Sequence, residues 1–299
     1  MNIKLRLITI ALLLAGIAVS YAQRQGGDTL TAQPVRGSVH VLLAKTAGNI
    51  AISAGPDGAF VIDDHFASVA PQILAAAQKL TDKPIRYVLN THWHPDHAGG
   101  NVFFGGQGTV IVAHDNVRKR MSREAFSVFS QKTTPASPTQ ALPVVTFSEN
   151  MTFHFNGDTV RVVHLPDAHT DGDAIFYFEQ ANVLHAGDVF VRYGFPFIDV
   201  ASNGSIAGMI AGCDRILEIA NPETLIIPGH GKVAREADVI EFRDMLKTAR
   251  ARVVAGLKAG KTAEQIAAAK PLADLMGRWG GGFIKPELFI RAIATSEAP

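Results

Sequence analysis

Cysteine is nearly absent from this sequence, because Cys213 is the single one among 299 residues. A disulfide within the chain is therefore excluded. Cys213 lies in the segment Ser205 to Leu217, where apolar residues recur at helical spacing and place the cysteine on the apolar face. This position predicts a small buried side chain rather than a reactive thiol.

An excess of either charge is also missing. The chain has 28 lysines and arginines against 27 aspartates and glutamates. Removing Lys4 and Arg6, which precede the first apolar run, leaves 26 basic residues. Such a balance offers no basic face to phosphate groups, so it argues against nucleic acid as a partner.

Long apolar runs are lacking outside the first 22 residues. There a positively charged start precedes the run Leu7 to Val19, which is followed by Ser20-Tyr21-Ala22. This pattern is typical of a secretory signal peptide, and we expect cleavage before Gln23. The run is shorter than the ~20 residues of an ordinary membrane span, so an uncleaved anchor is the weaker alternative. We predict a periplasmic or secreted protein without stable membrane insertion after cleavage, whose residues 23–299 form one domain.

A dense group of polar residues stands out in the segment 91–101, which reads Thr-His-Trp-His-Pro-Asp-His-Ala-Gly-Gly-Asn. It places four potential metal ligands in six positions: His92, His94, Asp96 and His97. Neutral imidazole nitrogens and carboxylate oxygens are ligands that zinc accepts. The preceding segment, Pro84 to Asn90, is rich in β-branched and aliphatic residues, so we expect the cluster in a loop that follows a strand.

Three later segments repeat this arrangement of an apolar strand, small residues and a ligand. His169 follows the run Val160 to Leu165, Asp188 follows a strand that starts near Val183, and His230 follows Thr224-Leu-Ile-Ile-Pro-Gly. Clusters of ligand types at the ends of strands are typical of metal or catalytic sites.

The pattern HxHxDH, followed by His, Asp and His at successive strand ends, resembles the metallo-β-lactamase fold superfamily over essentially the whole chain after the leader. The resemblance implies a first metal held by His92, His94 and His169. It implies a second metal held by Asp96, His97 and His230. Asp188 stands where many members of the superfamily place a carboxylate that bridges both ions.

This resemblance implies a dinuclear zinc hydrolase, with iron or manganese as alternatives. In such an enzyme a metal-bound hydroxide attacks the carbonyl carbon of a small-molecule acyl substrate. Asp96 is the predicted catalytic residue, because it would orient the hydroxide and help to move a proton to the leaving group. Asp188 occupies the position of the zinc-binding cysteine of the best-known lactamase subclass. The resemblance is therefore closest to the cysteine-free, Asp-bridged members.

Several polar residues near these motifs receive other predictions. We expect Asp63 to accept a hydrogen bond from a ligating histidine. His185 is expected to be a packed histidine, and His114 to stabilise a loop or a helix start. Arg192 and Tyr193 are candidate substrate contacts. The stretch 194–200 is predicted to line the pocket, with a protein contact as the alternative.

Grouped strands with intervening helices predict an α/β fold, namely an αββα four-layer sandwich. The predicted helices are 67–80, 205–220 and 234–259, and 130–142 is predicted to be a loop. The predicted strands are 38–43, 49–53, 59–62, 85–90, 109–113, 144–147, 151–155, 159–165, 174–178 and 183–186.

Three functional hypotheses remain from the sequence. The first is β-lactamase-like cleavage of a cyclic amide, which export favours because β-lactams act outside the inner membrane. The second is hydrolysis of a thioester, lactone or other ester, as in glyoxalase II. The third is an iron-containing redox enzyme or a metal-dependent binding component of an exported relay. Oligomeric state and substrate identity are left open.

Overall fold

The computed structural model describes residues 30–45, 47–127 and 132–297. The predicted signal peptide, residues 1–22, lies outside the described residues, and its cleavage stays a prediction. No helix among the described residues combines the length and apolarity that a membrane crossing would need.

The described residues form fourteen strands and nine α-helices. The strands are β1 (Ala32–Arg36), β2 (Val39–Leu42), β3 (Ile50–Gly55), β4 (Gly58–Ile62), β5 (Ile85–Leu89), β6 (Val110–His114), β7 (Ala125–Ser127), β8 (Lys132–Thr134), β9 (Val145–Phe147), β10 (Asn150–Phe155), β11 (Asp158–Leu165), β12 (Asp173–Phe178), β13 (Val183–His185) and β14 (Leu225–Ile227). The helices are α1 (Ala70–Gln78), α2 (Pro95–Ala98), α3 (Asn101–Gly106), α4 (Asp115–Met121), α5 (Ile206–Ile219), α6 (Glu236–Lys258), α7 (Ala263–Ala268), α8 (Met276–Trp279) and α9 (Pro286–Ser296).

Two sheets make up the centre of the fold. The first has the strand order β1-β2-β3-β4-β5-β6-β9, antiparallel up to β4 and parallel from β4 onward. The second has the order β10-β11-β12-β13-β14, in which only the last pair is parallel. A small hairpin of β7 and β8 stands apart from both sheets.

Side-chain alternation along the strands shows how the layers pack. In β4, Phe60 and Ile62 enter the core between the two sheets, whereas Ala59 and Val61 pack against the layer that contains α1 and α3. In β12, the odd and even positions divide in the same way between the central core and the layer of α5, α6 and α9. Strands that are apolar on both faces need a cover on each side, and the helices provide it. The structure confirms the αββα fold.

Most predicted elements are found within about three residues of their expected bounds, but two predictions need correction. The predicted loop 130–142 contains β8, which pairs with β7 through Ala125↔Thr134. The sequence reading also stopped at residue 259 and missed the C-terminal helices α7 to α9, which pack on α6.

The fold brings the predicted ligands to one edge of the sandwich. Parallel strands β4 and β5 both point their carboxyl ends at this edge, as do β13 and β14 in the second sheet. The loops that leave β5, β13 and β14 carry three of the predicted motifs, and the loop after β11 carries the fourth.

Candidate metal centre

The first ligand group is shaped by a proline that begins a one-turn helix. His94 has extended backbone angles (φ −65°, ψ 147°) directly before α2, whose first residue is Pro95. Proline disfavours a helical conformation in the residue before it and is well tolerated at the first position of a helix. The chain therefore turns sharply after His94, so that Asp96 and His97 lie on the helix turn beside it.

Close backbone packing holds the two later loops against this group. Gly187 has φ +52°, and a Cβ atom there would lie 2.8 Å from Cβ of Thr91. A Cβ atom on Gly229 would lie 2.0 Å from Oδ1 of Asp188. Glycine at both positions allows Asp188 and His230 to approach the cluster on β5.

All seven predicted ligands converge at this edge. Among the described residues, three sets have ligand atoms within 4.8 Å of one another: His92, His94 and His169; His92, His97 and Asp188; Asp96, His97 and His230. Nε2 of His169 lies 2.9 Å from Nδ1 of His94, and Nε2 of His230 lies 3.3 Å from Oδ2 of Asp96.

Asp188 lies between the two predicted metal positions. Its Oδ1 is 3.2 Å from Nε2 of His97, and its Oδ2 is 3.3 Å from Nε2 of His230. Oδ2 is also 3.8 Å from Nε2 of His169, which belongs to the other group. One carboxylate therefore faces histidines of both groups, as a bridging ligand must.

A chain of hydrogen bonds sets the tautomer of His92. Nδ1 of His92 is 3.0 Å from the Thr91 hydroxyl, which itself donates to Oδ2 of Asp63 at 2.8 Å. The hydroxyl proton is committed to Asp63, so Nδ1 of His92 carries the ring proton. Nε2 of His92 is then an acceptor, and it is buried without a hydrogen-bond partner. A buried lone pair of this kind suits a metal ion.

Asp63 also orients His97. The Nδ1–H group of His97 donates to Oδ2 of Asp63 at 2.7 Å, and both side chains are fully buried. In the neutral imidazole, Nε2 of His97 is then the acceptor nitrogen that faces the ligand group. Asp63 thus accepts the hydrogen bond from a predicted ligand histidine that the sequence leads us to expect.

His94 and His169 are oriented by acceptors on the loop after Asp188. Nε2–H of His94 donates to Oδ2 of Asp199 at 3.0 Å, and Nδ1–H of His169 donates to the Phe197 carbonyl at 2.8 Å. The Ser202 hydroxyl donates to the same Asp199 oxygen at 2.6 Å. The sequence analysis missed Asp199, because no motif marks it and it lies 30 residues after His169.

The ring orientations of the four histidines described above suit a metal ion. Each histidine gives its ring proton to a defined oxygen, and the remaining nitrogens point into one cluster with two carboxylates. This is the usual arrangement around ligating histidines, in which the outer hydrogen bond fixes the ring. The donor set of imidazoles and carboxylates fits zinc, and it also fits iron or manganese.

Burial and mutual repulsion or attraction shift the pKa values in the cluster. Burial, with His97 and His169 nearby, holds the pKa of His92 well below its usual value. Burial and the neighbouring His94 lower the pKa of His169 to about 4. Burial also acts to lower the pKa of His230, but Asp188 and Asp96 outweigh it and raise that pKa to about 9. Excess negative charge is thus concentrated around His97 and His230, where a cation is best stabilised.

The structure places Arg192, a predicted substrate contact, beside the start of α6. Its guanidinium donates to Asp238 at 3.0 Å and to the carbonyls of Lys232 and Val233 at 3.3 Å. Asp238 lies in the first turn of α6, and Lys232 and Val233 precede that helix, so these hydrogen bonds tie the loop after Asp188 to it. The substrate contact stays a prediction.

Tyr193 does lie at the cluster. Its ring centre is 5.4 Å from that of His230, and its hydroxyl accepts a hydrogen bond from the Phe197 backbone N–H at 3.2 Å. Burial raises the pKa of this hydroxyl well above its usual value. Tyr193 therefore lies at the cluster as a neutral aromatic side chain.

Two other histidines have structural surroundings, as expected. His185 is fully buried and lies 3.2 Å from the carbonyl oxygen of Asn49. His114 precedes α4, and its Nδ1 accepts a hydrogen bond from the backbone N–H of Asn116. Neither belongs to a metal-ligand set among the described residues.

Curated relatives share part of their length with this chain. A 2,4-dinitroanisole O-demethylase subunit alpha from Nocardioides sp. (strain JS1661) is 24% identical over 204 residues, covering 68% of this chain and 58% of that protein. An atrochrysone carboxyl ACP thioesterase from Aspergillus terreus is 25% identical over 183 residues, covering 60% of this chain and 48% of that protein. The chain thus spans about half the length of these relatives.

Solved structures agree with the fold. A metallo-β-lactamase from Pontibacter korlensis superposes with a TM-score of 0.61 at 18% identity, covering 73% of this chain and 99% of that one. A stereoselective inverting sec-alkylsulfatase from Pseudomonas sp. has a TM-score of 0.67 at 18% identity, covering 90% of this chain and 50% of that one. At such identities the likeness concerns the fold alone.

The family profile of the metallo-β-lactamase superfamily matches residues 44–241, which contain all seven predicted ligands and the oriented histidines. This chain therefore belongs to the metallo-β-lactamase superfamily.

Proposed function

We propose that this protein is an exported acyl hydrolase that holds two zinc ions and cleaves a thioester or another ester. The observation that carries the proposal is the set of four histidines whose ring protons are fixed outward by Thr91, Asp63, Asp199 and the Phe197 carbonyl. Such outer hydrogen bonds fix the orientation of the rings and aim the ligand nitrogens at common points. Export is supported by the sequence of residues 1–22.

The two ligand carboxylates, Asp96 and Asp188, differ in their exposure to solvent, and we assign them different roles. When bound, two zinc ions would lower the pKa of a coordinated water to near ~7 and polarise a substrate carbonyl. Asp188, 8% exposed as a side chain, would join the two positions, whereas the Asp96 side chain is 27% exposed. Asp96 is therefore the ligand that can reach both solvent and substrate. It would orient the attacking water and carry a proton to the leaving group.

Thioesters and esters rank above cyclic amides for three reasons. Asp188 occupies the bridging position, where the best-known lactamase subclass has a cysteine. In addition, several of the curated relatives are named thioesterases. A thiolate is also a better leaving group than an amide nitrogen and needs less help from a general acid. Cleavage of a cyclic amide is the second candidate, and the metallo-β-lactamases among the structural neighbours favour it.

Turnover by the protein purified from the periplasm tests the proposal. An acyl thioester followed with a thiol reagent, a 4-nitrophenyl ester and a chromogenic cephalosporin form the panel. We expect thioester or ester turnover that falls at least 1,000-fold in His94→Ala, because that change removes a ligand. His154→Ala is the matched control, since His154 is exposed on β10.

Three results would redirect or overturn the proposal. Faster turnover of the cephalosporin than of any thioester or ester would establish the second candidate. Iron with a coloured protein would contradict zinc and favour a redox enzyme. Two zinc ions without hydrolysis of any acyl compound would leave a metal-dependent binding component. Sequencing the amino terminus of the same sample checks for cleavage before Gln23, and an intact leader would contradict export by this route.

A further inference from the structure

Phe283 is an exposed aromatic side chain in the C-terminal part of the chain. It is 52% exposed, which makes it one of five large apolar side chains left open to solvent among the described residues. It lies beyond residue 241, where the match to the family profile ends. Ligand pockets are lined mainly by apolar and aromatic side chains, and Phe283 lies beside Tyr193 at the edge of the candidate metal centre.

The loop that carries Phe283 is docked tightly on the segment after Asp188. The backbone N–H of Phe195 donates to the Trp279 carbonyl at 3.0 Å. A Cβ atom on Gly194 would lie 2.5 Å from that carbonyl oxygen, and one on Gly282 would lie 2.4 Å from the Tyr193 carbonyl oxygen. Glycines on both sides allow the two backbones to touch, so the position of Phe283 is set by packing rather than by chance.

A continuous row of rings leads from Phe283 to the metal ligands. Its ring centre is 4.6 Å from that of Tyr193, which in turn is 5.4 Å from that of His230. The Tyr193 hydroxyl accepts from the backbone N–H of Phe197 at 3.2 Å. The ring of Phe197 lies 5.9 Å from that of His94. Aromatic rings therefore stand beside both ligand groups.

We propose that Phe283 and Tyr193 form a wall that binds an aromatic or branched apolar acyl group of the substrate. This proposal rests on the acyl hydrolase function proposed above and names its substrate class. The wall lies on the His230 side, so the apolar group would extend away from the carbonyl toward the Gly280–Gly282 loop. Contact with one phenyl face removes enough apolar surface from water to change binding by about tenfold.

The test compares phenylacetyl and acetyl thioesters that share one leaving group. For the zinc-loaded wild type we expect kcat/KM to be at least tenfold higher with the phenylacetyl compound. Phe283→Ala should raise KM for that compound about tenfold while kcat stays within twofold. Its kcat/KM for the acetyl compound should be unchanged. Phe283→Leu should restore part of the preference, because it keeps apolar surface.

Val144→Ala is the matched control, because Val144 is 68% exposed, directly precedes β9 at the edge of the first sheet and belongs to none of the metal-ligand sets among the described residues. It should alter neither substrate. Equal losses with both thioesters, or no loss in Phe283→Ala and Phe283→Leu, would overturn the wall.

Binding of products separates this proposal from the function on which it rests. Phenylacetate and acetate are titrated calorimetrically into zinc-loaded wild type and Phe283→Ala. Phenylacetate that binds more tightly than acetate to the wild type, but not to Phe283→Ala, supports the wall. If no thioester is cleaved in that case, only the proposed reaction fails. Equal affinities for both acids in the wild type would overturn the wall whatever the turnover.

Discussion

Asp63 links two of the predicted ligands through one carboxylate. It accepts hydrogen bonds from His97, from the Thr91 hydroxyl and from the Thr91 backbone N–H, all between 2.7 and 2.8 Å. Its backbone has φ 62°, a conformation that Asp adopts more readily than most residues. The residue thus turns the chain after β4 and fixes His97 directly and His92 through Thr91.

Replacing Asp63 with Asn should weaken metal binding. The amide keeps the size of the side chain but removes the negative charge and one acceptor oxygen, so one ring proton loses its partner. We expect a 10- to 100-fold loss of zinc affinity, the usual effect of such outer partners. Competition with a chromogenic chelator measures it.

Asp158→Asn is the control for this change. Asp158 is also a buried aspartate that accepts two backbone N–H groups, from Gln180 and Ala181. It lies at the start of β11, at the strand end opposite His169. Its substitution should lower stability without changing zinc affinity. Equal affinities in wild type and Asp63→Asn would show that Asp63 is not needed to orient the ligands.

The sequence predicted the ligands better than their supports. His92, His94, Asp96 and His97 are adjacent in the chain, so their spacing alone indicated a site. Asp63 could be proposed because it follows an apolar strand. Asp199 could not, because it reaches His94 only through the fold of the loop after Asp188. The ion pair of Arg192 could not be predicted either, because its partner Asp238 lies 46 residues away on another element.

At the scale of elements, His114 joins strand β6 to helix α4. Its Nδ1 accepts from the backbone N–H of Asn116, and its Nε2 lies 3.0 Å from the Ser148 carbonyl oxygen. Its ring stacks on that of His164 with centres 3.7 Å apart. The acceptor role of Nδ1 requires the neutral imidazole, so the helix cap depends on protonation state.

Acid should therefore weaken this junction. Burial and the stacked His164 lower the pKa of His114, and the opposing effects of Asp115 and Asp171 do not cancel this. A lowered pKa in the folded state gives stability that is present above the unfolded value of about 6.5 and is lost as pH falls below it. His114→Asn should reduce the loss of unfolding free energy between pH 7.5 and 5.5 by up to about 1 kcal/mol.

Urea unfolding of the zinc-saturated proteins at the two pH values measures this difference. Asn can still cap the helix, so the comparison isolates the titration from the cap itself. His154→Asn is the control and should leave the pH dependence as it is in the wild type, because His154 is exposed. An unchanged pH dependence in His114→Asn would contradict the account of this junction.

Elements with a clear period were predictable, and those without one were not. A β-branched run such as Val160 to Leu165 predicts a strand, and the amphipathic pattern of α5 predicts a helix. The short helices α7 and α8 lie next to glycine and proline residues in the sequence. They are stabilised by packing on α6 rather than by a pattern of their own. The hairpin of β7 and β8 has three paired positions, which are too few for an alternating pattern to mark the strands in the sequence.

At the scale of the molecule, the metal centre exists only in the assembled fold. Residues from His92 to His230 come together because strands of both sheets end at one edge. Without cations, two buried or half-buried carboxylates and five imidazoles are crowded there. Binding of zinc to the folded chain should therefore raise the unfolding temperature, by an amount that grows with the logarithm of the zinc concentration divided by the dissociation constant.

The central claim is that this edge holds two metal ions, and metal content tests it most directly. The protein, purified without added metal, is analysed by elemental mass spectrometry together with the Asp188→Ala variant. We predict near two zinc ions per wild-type chain, fewer in the variant, and a lower unfolding temperature for both after chelation. A wild-type chain with no tightly held metal would contradict the claim. So would a wild-type chain whose unfolding temperature does not change when a chelator is added.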